Sequence, residues 1–202
     1  MRKLLHYIVS LSPLGKIIRE TSATQTPVTF RGWALQRLSS FNRSVYWPVH
    51  FTSVVTNSRN IYAGIDVSPG YSAGCYIQGI GKIYIDDYTQ IGPNVGIISA
   101  NHDVGDNRCH VASSVRIGKY CWIGMNSVVL PGVVLGDFTI VGAGSIVTKS
   151  FEGGFCVIGG NPAKCLRPLD PTKCVRFENS YKYNGYIKSC DFQEFRKKHL
   201  DV

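Results

Sequence analysis

From Val55 to Glu152 the chain carries a branched apolar residue at nearly every sixth position, with one break, and few folds accept that period. The first position of each hexad reads Val55, Ile61, Val67, Ala73, Gly79, Ile85, Ile91 and Ile97. After a short break it resumes at Val111, Ile117, Ile123, Val129, Leu135, Val141 and Val147. Thirteen of these fifteen are Val, Ile or Leu, and the clearest run, IGKYCW-IGMNSV-VLPGVV-LGDFTI-VGAGSI, covers residues 117–146. An amphipathic helix has a period of about 3.6 and a half-buried strand a period of about 2, so neither explains a strict six. Short strands joined by corners and stacked as a solenoid do explain it, because every sixth side chain then enters one continuous apolar interior.

Three hexads give one triangular coil of about eighteen residues, and fifteen hexads predict about five coils with strands roughly 4.8 Å apart. The fifth position (Ile65, Tyr71, Ile77, Ile83, Val95, Val115, Cys121, Ser127, Val133, Ser145) is also expected to point inward, with smaller side chains near the corners. Gly follows the first position at 74, 92, 118, 124, 136 and 142. There it is expected to relieve backbone conformations that a side chain would strain. The repeat divides the chain into a lead-in and cap (1–54), a repeat body (55–152, with a loop at 103–110) and a C-terminal loop and helix (153–202). Within the flanks, short helices are expected near 2–10, 12–20 and 191–200. An extended aromatic approach should run through Trp33, Phe41, Tyr46 and Trp47.

Charge follows the same division. The formal net charge is +9, but the repeat body is close to neutral, with six Lys/Arg against seven Asp/Glu. The excess lies in the flanks, with seven against one before residue 55 and nine against five after residue 152. Scattered basic flanks suit a polyanionic cofactor, an acidic glycan or an anionic membrane face rather than nucleic acid. The seven cysteines (75, 109, 121, 156, 165, 174, 190) are odd in number and form no CxxC pair. They read as reduced thiols of a cytoplasmic protein, with no metal site and with Cys121 as a small core filler. The basic, apolar start MRKLLHYIVSLSPLGKIIRE is broken by His6, Ser10, Ser12 and Pro13 and is short of the about 20 apolar residues that span a bilayer. It can pack on the body or lie against the inner face of a membrane.

The one interruption of the repeat holds the chemistry-bearing residues. Hexad IISANH (97–102) is followed by DVGDNRCH (103–110), placing His102 where the loop leaves and His110 where it returns. An imidazole titrating near neutrality is suited to taking a proton from a hydroxyl as that hydroxyl attacks.

Four stretches carry a resemblance: IGPNVGIISANHD (91–103), WIGMNSVVLPGVVLGD (122–137), TIVGAGSIVTKSF (139–151) and GGNPAKCLRP (159–168). In order and spacing they resemble the hexapeptide-repeat acyltransferases, in the branch of galactoside, maltose and xenobiotic acetyltransferases and polysaccharide O-acetyltransferases. The resemblance implies an all-β fold, a left-handed parallel β-helix with an ejected loop, assembled as a homotrimer with active sites between subunits. It implies acetyl-CoA as co-substrate and His102 as general base. Met125, Gly142, Ala143, Thr148 and Lys149 would line the pantetheine arm, with Lys164 and Arg167 near the nucleotide phosphates. Asn101, Asp103 and Trp122 would face the acceptor. Asp103 or a backbone carbonyl would orient His102. The acceptor is expected to be a sugar hydroxyl of a surface polysaccharide, lipopolysaccharide or glycan precursor. A small acceptor (antibiotic, amino sugar nucleotide or serine) and a non-catalytic or metal-binding β-helix are the alternatives.

Overall fold

The structure, a computed structural model, describes residues 12–202. The helix expected near 2–10, and with it most of the basic N-terminal segment, lies outside the described residues. Three sheets form the faces of a prism. The first face stacks Val54–Thr56, Tyr76–Gln78, Gly96–Ile98, Val128–Val129 and Ile146–Val147. The second stacks Ile61–Ala63, Ile83–Ile85, Val115–Ile117 and Val134–Leu135. The third stacks Gln90–Ile91, Trp122–Ile123, Thr139–Val141 and Cys156–Gly160. These ladders are all parallel, and an antiparallel strand, Ala163–Pro168, closes the third face. The chain visits the faces in order, so each face is built from non-consecutive strands.

Most hexad positions sort as the period requires, with Val55 and Ile91 partly buried against the core and two exceptions. Ile61, Val67, Ile85, Ile97, Ile117, Ile123, Val129, Leu135, Val141 and Val147 are all at most 1% exposed. Ala73 and Val111 are exposed instead, so the phase slips before Ile77 and the repeat resumes at Val115 rather than Val111. Val129 and Val147 stack eighteen residues apart, the ideal coil, whereas Val55 stacks on Ile77, twenty-two residues later. Ile97 stacks on Val129 across thirty-two residues. The excursion is therefore longer than the eight residues of 103–110, and it includes Ala100–His102 and His110–Ala112 as a paired hairpin.

Position five is inward from Ile77 onward, whereas Ile65 and Tyr71, expected inside, are only partly buried because the phase slips before Ile77. Where an inward fifth position is polar it has a partner. Thr89 donates to the Gly118 carbonyl and Thr139 to that of Gly136, each at 2.7 Å, and Ser127 donates to Gly142 at 3.0 Å. A hydroxyl is tolerated in the dry interior because the corner beside it offers a carbonyl. The expectation for the glycines at position two needs correction. Only Gly74 among them has positive φ; Gly92, Gly118, Gly124 and Gly136 are glycine for lack of room. A Cβ at Gly136 would lie 2.2 Å from the Glu152 carbonyl oxygen of the next coil. The left-handed residue is the fourth of the hexad, at Tyr88, Asn94, Tyr120, Asn126 and Phe138. Bulky side chains at φ near +60° are unfavourable on their own. Here the rings stack down one corner: Tyr88 on Tyr120 (5.3 Å), Tyr120 on Phe138 (4.9 Å) and Phe138 on Phe155 (5.1 Å).

Both flanks cap one end of the prism. Helix α1 (Pro13–Glu20) starts at Ser12, whose hydroxyl accepts from the Gly15 amide. Trp33 lies not in an extended segment but in helix α2 (Phe30–Leu38), where local propensity allowed either. The buried Gln36 of α2 donates to the carbonyls of Asn42, Val45 and Trp47 and accepts from the Val49 amide and the Tyr186 hydroxyl. Helix α3 (Ser189–His199) lays Phe192 and Phe195 over the Tyr46 ring, and Trp47 is fully buried beneath. Between these ends, residues 175–179 run along the stacked aromatic corner. Tyr120 donates to the Phe177 carbonyl at 2.9 Å, and the Asn179 amide donates to the Tyr88 hydroxyl. No helix among the described residues is long and apolar enough to cross a membrane.

Candidate active site

The hairpin that leaves the prism between the first and second faces is fixed at its root. Ser99, fully buried, accepts from the Gly81 amide at 2.9 Å and donates to the Gln78 carbonyl. The Ser113 amide donates to the Ser99 carbonyl at 2.8 Å, closing the base of the excursion. Beyond it Asn101 pairs with Val111 and His102 with His110, directly across the two strands. Such opposite residues project to the same side, and the imidazoles meet with centroids 4.4 Å apart.

His102 Nδ1 lies 2.6 Å from the Asn107 carbonyl oxygen. A carbonyl only accepts, so Nδ1 carries the proton and donates, leaving the lone pair on Nε2. Asp103 does not orient the ring. Its carboxylate accepts from the amides of Gly105 (2.8 Å) and Asp106 (3.0 Å) and so folds the hairpin tip. Asp106 in turn chelates the Arg108 guanidinium at 2.8 and 2.9 Å, which holds its carboxyl at about 2. Asn107 was invisible in the sequence as a contributor, because what it supplies is a backbone oxygen that any residue carries.

The other expected site residues do not gather on one edge of this chain. Thr148 and Lys149 follow the first face, on the same corner as the His102 hairpin, and both are exposed. Met125, Gly142 and Ala143 lie on the corner between the third and first faces. The Gly142 amide donates to Ile158 and the Gly144 amide to Met125, each at 2.8 Å. A Cβ at Gly144 would meet nothing within 4 Å, so this turn is open to a ligand. Lys164 and Arg167 stand exposed on the terminal strand. Trp122, 54% exposed, sits on the outside of the third face between Gln90 and Ile140.

Of the cysteines, exposed Cys109 stands on the His102 hairpin, where its thiol points to the Asp106 carboxylate at 3.7 Å, while three others are buried. Burial pushes the Cys121 thiol up to about 12 and raises those of Cys75 and Cys156. A maleimide is expected to label exposed Cys109, Cys165 and Cys190 in the native protein, and Cys75 and Cys121 only on unfolding. Peptide mapping after graded labelling checks this; native labelling of Cys121 as fast as Cys109 would contradict the packing described. Among the described residues no group of three or more His, Cys, Asp or Glu is arranged to hold a metal ion.

Comparison with known proteins gives this geometry a context. The family described as bacterial transferase hexapeptide (six repeats) matches residues 106–149. Galactoside O-acetyltransferase of Escherichia coli is 30% identical over 146 residues, 69% of this chain and 68% of that protein. Its Lactococcus lactis counterpart is 30% identical over 117 residues, 56% of this chain and 53% of that one. This chain thus spans between about half and two thirds of the length of such relatives. Among solved structures, a galactoside acetyltransferase in complex with coenzyme A superposes with a TM-score of 0.57 at 22% identity, covering 83% of this chain and 98% of that one. A maltose O-acetyltransferase from Clostridium difficile 630 gives 0.51 at 24% identity, covering 80% and 91%. At these identities the superpositions speak to the fold.

Proposed function

Because the chain belongs to the hexapeptide-repeat acetyltransferases, the group that includes galactoside O-acetyltransferase, we propose that it transfers an acetyl group from acetyl-CoA to a sugar hydroxyl. The acceptor we assign is a hydroxyl of a surface polysaccharide, lipopolysaccharide or glycan precursor. The observation that carries the reading is the Asn107 carbonyl on His102 Nδ1, which leaves the lone pair on Nε2 to serve as the base, in an exposed residue on a rigid root.

Acetyl-CoA supplies an electrophilic thioester carbon; the rest is the work of this chain. His102 takes the hydroxyl proton as the oxygen attacks the thioester carbon and, as the C–S bond breaks, passes it to the departing sulfur, so that CoA leaves as the thiol and no free alkoxide forms. A backbone N–H near the corner stabilises the charge that develops on the carbonyl oxygen. With the Gly142 and Gly144 amides already engaged, Ala143 is the better-placed donor to the pantetheine arm, and Lys164 and Arg167 provide charge for phosphates. The separation of Thr148 and Lys149 from Met125 and Ala143 onto different corners supports a site completed by a second copy, in a homotrimer of left-handed coils. Asn101 and Trp122 remain acceptor-side residues in this proposal, while Asp103 acts through the loop.

A panel of acceptors assayed by CoA release tests the proposal. Polysaccharide or lipid-linked glycan fragments are expected to turn over fastest. A mono- or disaccharide acceptor is the second reading, favoured by the names of the relatives, and wins if galactosides or maltose are preferred. Absence of acetyl-CoA-dependent transfer to every sugar would overturn both.

A further inference from the structure

Outside the His102 hairpin, two hollows of about 250 and 170 Å³ lie side by side on the third face, sharing Gln25 and Gln90 as walls. Together they reach the size of small-ligand sites, about 300–1,000 Å³. The larger is aromatic, lined by Trp122, Tyr120 and Phe177 among others. The smaller is polar and uncharged, with Thr26, Ser68 and Ser72.

Three parts of the chain build this cleft, and one carboxylate ties them. Buried Asp66 accepts from the Gln25 and Thr26 amides at 3.0 Å and from the Asn179 side chain at 2.8 Å. It thereby holds the 24–26 loop and the 175–179 segment against the prism as opposing walls. Gln25 itself is unsatisfied: both its Nε2 and Oε1 are buried without a hydrogen-bond partner. By contrast Gln36, also buried, has every amide function engaged. A buried donor and acceptor left open at the junction of two hollows is a costly arrangement without a ligand.

We propose that this cleft binds a neutral pyranose unit of an extended glycan, a subsite on the body of the prism apart from the His102 hairpin. A sugar has what the walls lack: hydroxyls that both donate to and accept from Gln25 and Gln90, and an apolar ring face for Trp122 and Phe177. Among the described residues no cation lines either hollow, which disfavours a pyrophosphate. Arg176, the cation nearest in sequence to Phe177, lies instead over the Phe138 and Phe155 rings. The inference rests on the sugar-acceptor reading above and deepens it: the acceptor is a chain of sugars, held at two places.

The test is binding without acetyl-CoA. Malto- and galacto-oligosaccharides of one to six units are titrated into the full chain, followed by saturation-transfer NMR and tryptophan fluorescence. Affinity is expected to rise at least about tenfold from one unit to four, and Gln25→Leu and Phe177→Ala each to weaken the longer ligand by about tenfold. The two variants lie on separate segments, so a folding defect in one leaves the other informative. His102→Ala is expected to bind as the parent does. Equal affinity at all lengths, unchanged binding in both variants, no binding of either series, or displacement by CoA would each overturn the subsite. An active His102→Ala enzyme that still bound the longer sugars would instead remove only the catalytic assignment.

Discussion

His102→Ala is expected to lower acetyl transfer by about 10²- to 10⁴-fold, the range for loss of a general acid–base group. The structure says why the loss should fall on turnover rather than on binding. The imidazole touches the Asn107 carbonyl and the His110 ring, and the residue is exposed. Its hairpin is tied to the prism by Ser99 and Ser113, which the substitution does not touch. The Thr148 and Met125 corners keep their backbones, so the KM for acetyl-CoA should move little while kcat collapses. His102→Gln, which keeps a polar side chain without a basic nitrogen, should be as impaired as alanine. Steady-state kinetics with acetyl-CoA and the best acceptor of the panel checks this, and a variant within a few-fold of the parent kcat would remove the assignment.

Trp47→Ala is expected to cost about 3–5 kcal/mol, the range for deleting a buried aromatic. For a chain of this size that corresponds to a fall in Tm of about 6–20 °C. Trp47 is 0% exposed, meets Tyr46 edge-on at 4.6 Å, and donates its indole N–H to the Pro69 carbonyl at 2.8 Å. Removing it opens a cavity where the first coil meets its cap and leaves a buried carbonyl without its donor. Trp47→Phe, which restores most of the volume but not the hydrogen bond, should recover more than half the loss. Thermal unfolding followed by circular dichroism measures both. A shift of under 2 °C for alanine would mean that the cap does not bear on the stability of the coils.

The strongest repeats translated directly into coils. Where the sequence reads IGKYCW through VGAGSI, the inward positions, the spacing of eighteen residues and the fourth-position turn all appear as a six-residue period demands. The period weakened where tertiary contacts took over. Ala73 was placed by its hexad in the interior and lies on the surface, because the early coils hold extra residues that the cap accommodates. Val111 fits the hexad in sequence yet stands 54% exposed on the hairpin, where pairing with Asn101 and not stacking fixes it. Of the candidate site, His102 was legible because it stands at the break in the pattern. Its partner was not, since a backbone carbonyl has no signature, and Asp103 drew attention that its turn-forming role does not support.

The sequence alone determined that this chain stacks short strands, where its interior lies, and which histidine stands at the one ejection point. Those properties are local and periodic, set by side-chain size at fixed spacing. Only the tertiary structure decided which atom orients that histidine, how the expected cofactor residues divide among two corners and the terminal strand, and that Gln25, Trp122 and Phe177 share one cleft. The first is a backbone carbonyl five residues on, which no side-chain pattern marks. The other two depend on residues tens to more than a hundred positions apart being brought together by the coiling and by a returning C-terminal segment.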